Sequence, residues 1–266
     1  MCIILSCNPN ERPTSACITN CWNRNPDGAG FMWADGTTVH GRKGLMTLED
    51  LNAALTEVPD DVPLVIHFRI GTSGGLSESV THPYPVSSDL SDLHAVSWES
   101  PLGIAHNGVL HGIKTDADNG VSDTVAYIRD VVTPLSQDVG LFTAEGLKTL
   151  RETSVGSRLC IMNGEGMVML TGSGWNTVSE GIQASNESWH GYTYQRRYTA
   201  SWDDYYEGIS SYSATDDLPK RCRRCMAHRD CAIGVPACRG VATYVGYSLA
   251  DYQEYWSEDY EIAEVC

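Results

Sequence analysis

The sequence predicts an α+β domain of antiparallel strands layered with helices, followed by a short extension of different texture. Three observations predict it. Short apolar runs alternate with stretches of helical periodicity over residues 1–190, pairs of those runs flank tight glycine-containing turns, and the apolar signal weakens beyond Trp189. Repeated hairpin signals among mixed strands and helices favour α+β layers over a doubly wound parallel sheet.

Each element has its own warrant. The apolar run at 3–6 is a first buried strand. Residues 30–33 and 37–40 flank Ala34-Asp35-Gly36, a hairpin signal. The spacing predicts a helix over 48–58, and a Pro-Asp-Asp-Val-Pro turn then leads into a strand at 64–69. Residues 103–107 form a strand entering an Asn-Gly turn. Helices are predicted over 124–132 and 143–151, and strands 158–163 and 167–171 flank Gly164-Glu165-Gly166.

Composition excludes several classes of function. A formal net charge of −16 argues against a protein that coats nucleic acid. No apolar run approaches the roughly 20 residues of a membrane span. Met1-Cys2-Ile3-Ile4-Leu5 lacks the basic leader of a signal peptide and reads as the start of a strand. The ten cysteines fit reduced thiols in the cytoplasm better than a disulfide framework, so the expected location is cytoplasmic, in a host cytoplasm if phage-encoded.

Cys2 is the first candidate for chemistry. Once Met1 is trimmed, a single residue holds a thiol titrating at about 8.5 and an α-amine titrating at about 8, a nucleophile with its own base. Its bland alternative is a small buried hydrophobe. His67-Phe68-Arg69-Ile70-Gly71-Thr72 sets an Arg at the end of a strand, either a carboxylate clamp or a surface ion pair. His106-Asn107-Gly108 is either an ordinary turn or an oxyanion hole made by the Asn107 amide and the Gly108 N–H. Asp123, in Ser122-Asp123-Thr124, either caps a helix or takes a substrate ammonium. A nucleophile, an oxyanion hole and two opposite charge clamps are what deamidation of free glutamine requires.

With those residues in view, the chain resembles the class II glutamine amidotransferases, which belong to the N-terminal-nucleophile hydrolases. Met1-Cys2, Asn25-Pro26-Asp27-Gly28-Ala29-Gly30, His67-x-Arg69-x-x-Thr72-x-Gly74-Gly75, His106-Asn107-Gly108 and Ser122-Asp123-Thr124 occur in the family's order. Thr81-His82-Pro83 and Ser185-Asn186 are similar to a subgroup of small bacterial and phage members. Ser73 and Ile70 depart from the better-known members, several of which carry His and Trp there. The resemblance covers about residues 2–190 and implies a four-layer αββα sandwich. It implies Cys2 as nucleophile, Asn107 and Gly108 as oxyanion hole, and Arg69, Thr72, His106 and Asp123 around the glutamine, with no cofactor for catalysis.

Residues 191–266 form a separate extension. Cys222, Cys225, Cys231 and Cys238 follow a C-x2-C-x5-C-x6-C spacing that allows either a structural zinc or free thiols and a redox pair. The six Lys and Arg between Lys220 and Arg239 could touch nucleic acid. The six carboxylates of residues 248–266 offer an intramolecular partner instead, and that reading is favoured. The extension is too short for a synthetase domain, so an acceptor protein is expected to act in trans. Two other functions are weighed: a Cys-type amide hydrolase with another substrate, and a catalytically idle binding module.

Overall fold

Strand pairing organises this protein around its first strand. The computed structural model describes residues 2–71, 77–116 and 119–191. In chain order the early elements are β1 (Ile3–Cys7), α1 (Ser15–Arg24), β2 (Ala29–Ala34), β3 (Val39–Leu45), α2 (Leu48–Leu55) and β4 (Leu64–Phe68). There follow β5 (Tyr84–Pro85), α3 (Leu90–His94), β6 (Ser97–Ser100) and β7 (Leu102–Asn107). The remainder is α4 (Asp123–Tyr127), α5 (Thr133–Asp138), α6 (Ala144–Thr153), β8 (Arg158–Asn163), β9 (Val168–Thr171), β10 (Asn176–Ser179) and β11 (Ile182–Ala184). The described residues are thus a mixed α/β structure with antiparallel sheets. A seven-stranded sheet runs β10-β11-β1-β4-β2-β3-β6, and a four-stranded sheet runs β5-β7-β8-β9.

Alternation along the strands decides which face meets what. Ile3, Leu5 and Cys7 of β1, with Leu64, Ile66 and Phe68 of β4, pack with Cys17, Ile18 and Cys21 of α1 and Leu51 and Ala54 of α2. Ile4, Met32 and Val65 point the other way and share a second core with Ala105, Cys160 and Met162 from the four-stranded sheet. Ile104, Leu159 and Ile161, on the opposite face of that sheet, pack with Val125, Tyr127 and Leu150. Each fully buried aliphatic side chain contributes about 1.5–3 kcal/mol.

Several predicted elements shift by a few residues for identifiable reasons. The first hairpin pairs Ala34 with Val39, so Thr37 and Thr38 belong to the turn, where both backbone N–H groups donate to the Asp35 carboxylate. Thr143 is a cap outside α6, its hydroxyl accepting from the Gly146 N–H. The helix predicted at 124–132 continues to Asp138, because a π-type turn at Ile128–Val132 precedes α5 and its Pro134. A widened turn relieves the contact that a proline ring makes with the preceding carbonyls. Among the described residues no helix is long and apolar enough to cross a membrane.

Candidate active site

Cys2 enters the site from the end of β1. Ile3 pairs with Phe68 of β4, so one further step sets Cys2 beside Arg69 and Ile70. Its Sγ donates to Ile70 O at 3.6 Å and accepts the Ile70 N–H at 3.4 Å. Burial raises the thiol above its ordinary value, opposed by the Ile70 N–H and the nearby Arg69 charge. A thiol held protonated at neutral pH needs a base before it can act as a nucleophile.

The segment carrying Arg69 is fastened from both neighbouring strands. Arg69 N donates to Gly28 O at 2.8 Å, Asp27 N donates to Arg69 O at 3.0 Å, and the Asp27 carboxylate accepts the Gly71 N–H at 2.7 Å. These bonds explain the Asn-Pro-Asp-Gly-Ala-Gly run. Asn25 closes α1, its amide donating to Cys21 O at 3.0 Å, and Asp27 latches Gly71. Gly30 lets other backbone approach, since a Cβ there would lie 2.3 Å from His82 O. The Arg69 side chain is 5% exposed and lies close against Gly71.

Asn107 ends β7 and Gly108 follows it; the partners of β7 are β5 and β8, so this Asn-Gly pair is not a tight hairpin turn. The turn is braced through His106. Burial lowers this imidazole to about 4, against the Asp123 charge, and the ring is neutral at pH 7. Ser157 Oγ donates to Val109 O at 3.2 Å, so at 3.0 Å it accepts from His106 Nε2–H, and His106 Nδ1 accepts the Thr124 hydroxyl at 2.8 Å. With both nitrogens engaged by protein hydroxyls, His106 holds the turn. The sequence had set it among the substrate contacts.

Asp123 is half-buried at the start of α4. Its Oδ2 accepts the Leu110 N–H at 2.9 Å and its Oδ1 accepts the Thr124 N–H at 2.8 Å. It therefore ties the Asn107-Gly108 turn to the helix, and a lone pair remains on Oδ2, whose one protein donor among the described residues is the Leu110 N–H, for a cationic group.

Two residues that sequence reasoning gave no role connect the pieces. Ser185 Oγ accepts the Ile4 N–H at 2.9 Å and lies 2.8 Å from Asn107 Nδ2, bridging β1 and β7. Asn186 Nδ2 donates to Cys2 O at 2.6 Å. The only sequence signal for them was the likeness of the Ser185-Asn186 pair to the small family members. His67 makes a second bridge between the sheets, with Nε2 3.1 Å from His106 O. Burial pushes it down to about 3.

Cys2, Arg69, His106, Asn107, Gly108 and Asp123 are thus linked through short hydrogen-bond paths. Thr72 lies outside the described residues, as do Cys222, Cys225, Cys231 and Cys238. Among the described residues no group of three His, Cys, Asp or Glu could hold a metal ion. Comparison of the chain with protein-family models gives no match, and comparison with curated proteins gives none either.

Proposed function

We propose that residues 1–190 form a class II glutamine amidotransferase domain, an N-terminal-nucleophile hydrolase in which Cys2 releases ammonia from L-glutamine. The observation that carries this reading is the link between the nucleophile strand and the oxyanion strand: at Ser185, Asn107 meets Ile4, which lies two residues along from Cys2. The four-layer αββα arrangement is supported by the three cores, one of them shared by residues of both sheets.

The chemistry follows from the groups present. With Met1 removed, the Cys2 α-amine takes the thiol proton and Sγ attacks the carboxamide carbon of glutamine. The carbonyl electron pair moves onto oxygen, where the Asn107 amide and the Gly108 N–H stabilise it. Collapse re-forms the carbonyl and breaks the C–N bond. The departing nitrogen takes the proton held by the amine and leaves as ammonia. Water, deprotonated by the same amine, then attacks the thioester to give glutamate and the free thiol. Arg69 binds the substrate α-carboxylate and Asp123 its α-ammonium. His106 acts behind the turn, keeping its N–H groups aimed.

Catalysis needs no cofactor, and the ammonia passes to an acceptor protein in trans. In the extension, Cys222, Cys225, Cys231 and Cys238 are the candidate thiols, for a structural zinc or for a redox pair. Measuring glutamine turnover by Met-trimmed protein tests the reading. Turnover is expected, Cys2→Ala should abolish it, and a glutamine-mimicking electrophile should label Cys2. Cys7 and Cys160 are almost fully buried, and burial pushes the Cys7 thiol up to about 12. Labelling at either, or activity in material whose intact mass retains Met1, would refute the assignment.

A further inference from the structure

Ser185 sits directly after β11 and is fully buried. Its backbone N–H donates to Ile4 O at 2.9 Å, and its Oγ accepts the Ile4 N–H at 2.9 Å, so both backbone groups of Ile4 are spent on this one residue. The position of its oxygen is therefore set by β1. The same oxygen lies 2.8 Å from the Asn107 side-chain amide. Asn107 is 1% exposed, and its other amide atom, Oδ1, is buried without a hydrogen-bond partner among the described residues.

A count of protons decides the amide's orientation. With Asn107 Nδ2 toward Ser185, the serine oxygen receives two N–H groups and its own proton is left over, while a buried carbonyl oxygen goes without a donor. An unmet buried acceptor costs about 1–3 kcal/mol. Rotating the amide by half a turn exchanges its nitrogen and oxygen, which have nearly the same size and shape. Ser185 Oγ–H then donates to Asn107 Oδ1, and the Asn107 NH2 occupies the place of the lone oxygen, with two donors facing open demand. On the amidotransferase reading, that NH2 is the side-chain donor the oxyanion hole requires.

Resting on the amidotransferase reading, we infer that Ser185 is a positioning residue: its hydroxyl, held by the Ile4 N–H, donates to Asn107 Oδ1 and aims the Asn107 NH2 at the developing oxyanion. The next residue completes a clamp, since Asn186 Nδ2 donates to Cys2 O at 2.6 Å. One dipeptide thereby sets the distance between the nucleophile on β1 and the oxyanion donor on β7. The two come from different sheets and are more than a hundred residues apart in the chain.

Turnover of wild type, Ser185→Ala, Asn107→Ala and the double variant tests the inference, because a residue acting through Asn107 has no further effect once Asn107 is gone. Ser185→Ala is expected to lower kcat by about 10- to 100-fold with KM changed less than about threefold, and the double variant to match Asn107→Ala within about threefold. A double variant slower by the product of the two single effects overturns the clamp and leaves the glutaminase reading standing. Wild-type protein that turns over no amide overturns both. Neutron diffraction from the wild-type protein decides the orientation even if Ser185→Ala fails to fold. A deuteron on Ser185 Oγ directed at Asn107 Oδ1 supports the inference, and an Asn107 nitrogen directed at Ser185 overturns it.

Discussion

Gly108 has φ +146°, and an added Cβ would stand 2.5 Å from Ser157 Oγ. Asn107, its neighbour, meets no such limit on its backbone and contributes through its side chain. The two therefore fail in different ways when changed. On the amidotransferase reading, Asn107→Ala should lower glutamine turnover by about 10²–10³-fold, the usual cost of one oxyanion donor, with a thermal midpoint lowered by the single bond to Ser185 that is lost. Gly108→Ala should lower both turnover and thermal midpoint, because the methyl group displaces Ser157 and with it the His106 brace. Steady-state kinetics alongside thermal unfolding of both variants check this. A Gly108→Ala protein as stable and active as wild type would mean that the turn relaxes freely. At this scale the sequence could put forward Cys2, Arg69, Asn107, Gly108 and Asp123 as candidates, because the chemistry that suggests them is intrinsic to the residue. It was not legible for Ser185, whose role depends on partners 78 and 181 positions away.

Elements matter here as anchors for short loops. The 69–71 segment is held on one side by Cys2 and on the other by Asp27 and Gly28, so the guanidinium of Arg69 is delivered by strand pairing. Removing the Asp27 carboxylate frees the Gly71 N–H while leaving β2 and β4 paired. Asp27→Ala should raise KM for glutamine by about 10-fold, the lower end for a hydrogen bond to a charged group, and leave kcat within about threefold. A fall in kcat with unchanged KM would place Asp27 in the chemistry instead of in substrate binding. The strands beside this loop were legible because their apolar runs are local. α1 was not, since Ser-Ala-Cys-Ile-Thr-Asn-Cys-Trp-Asn-Arg is poor in strong helix formers. Its helix depends on the Thr14 cap and on burying Cys17, Ile18 and Cys21 against β1, a contact that local periodicity could not announce. The reach to Asp138 was hidden for a related reason: Pro134 reads as a stop unless a π-type turn precedes it.

Across the whole molecule, the interior beside the site carries an uncommon load of ionisable groups. His67, His82 and His106 are all buried, with the His67 and His82 rings 4.3 Å apart and the His82 and His106 rings 6.2 Å apart. Burial holds His67 to about 3, His106 to about 4, and His82 well below its ordinary range. Each folded-state value lies below that of the unfolded chain, so between about pH 6.5 and 4 the unfolded state binds protons that the folded state refuses. Stability contributed by these neutral rings is therefore present above about pH 6.5 and lost as the pH falls, at about 1.4 kcal/mol per pH unit for each ring. Carboxylates with lowered values, such as Asp89 and Asp130, act in the same direction but only near and below about pH 4. Burial also lowers Lys43 to about 6, so its share of the loss is complete by about pH 6, and loss that continues from there to pH 5 is the signature of the histidines. Thermal unfolding from pH 7.5 to 4.5 should show the midpoint falling steeply below pH 6.5. His82→Phe offers the sharpest control, because both nitrogens of that ring are buried without hydrogen-bond partners among the described residues, and its edge packs on Tyr84 at 4.9 Å. A phenyl ring keeps those contacts and removes the titrating group. The variant should match or exceed wild-type stability at pH 7 and flatten the acid slope by about one proton. An unchanged slope would mean that His82 takes up its proton inside the folded protein, with the neighbouring rings reorienting to accept it.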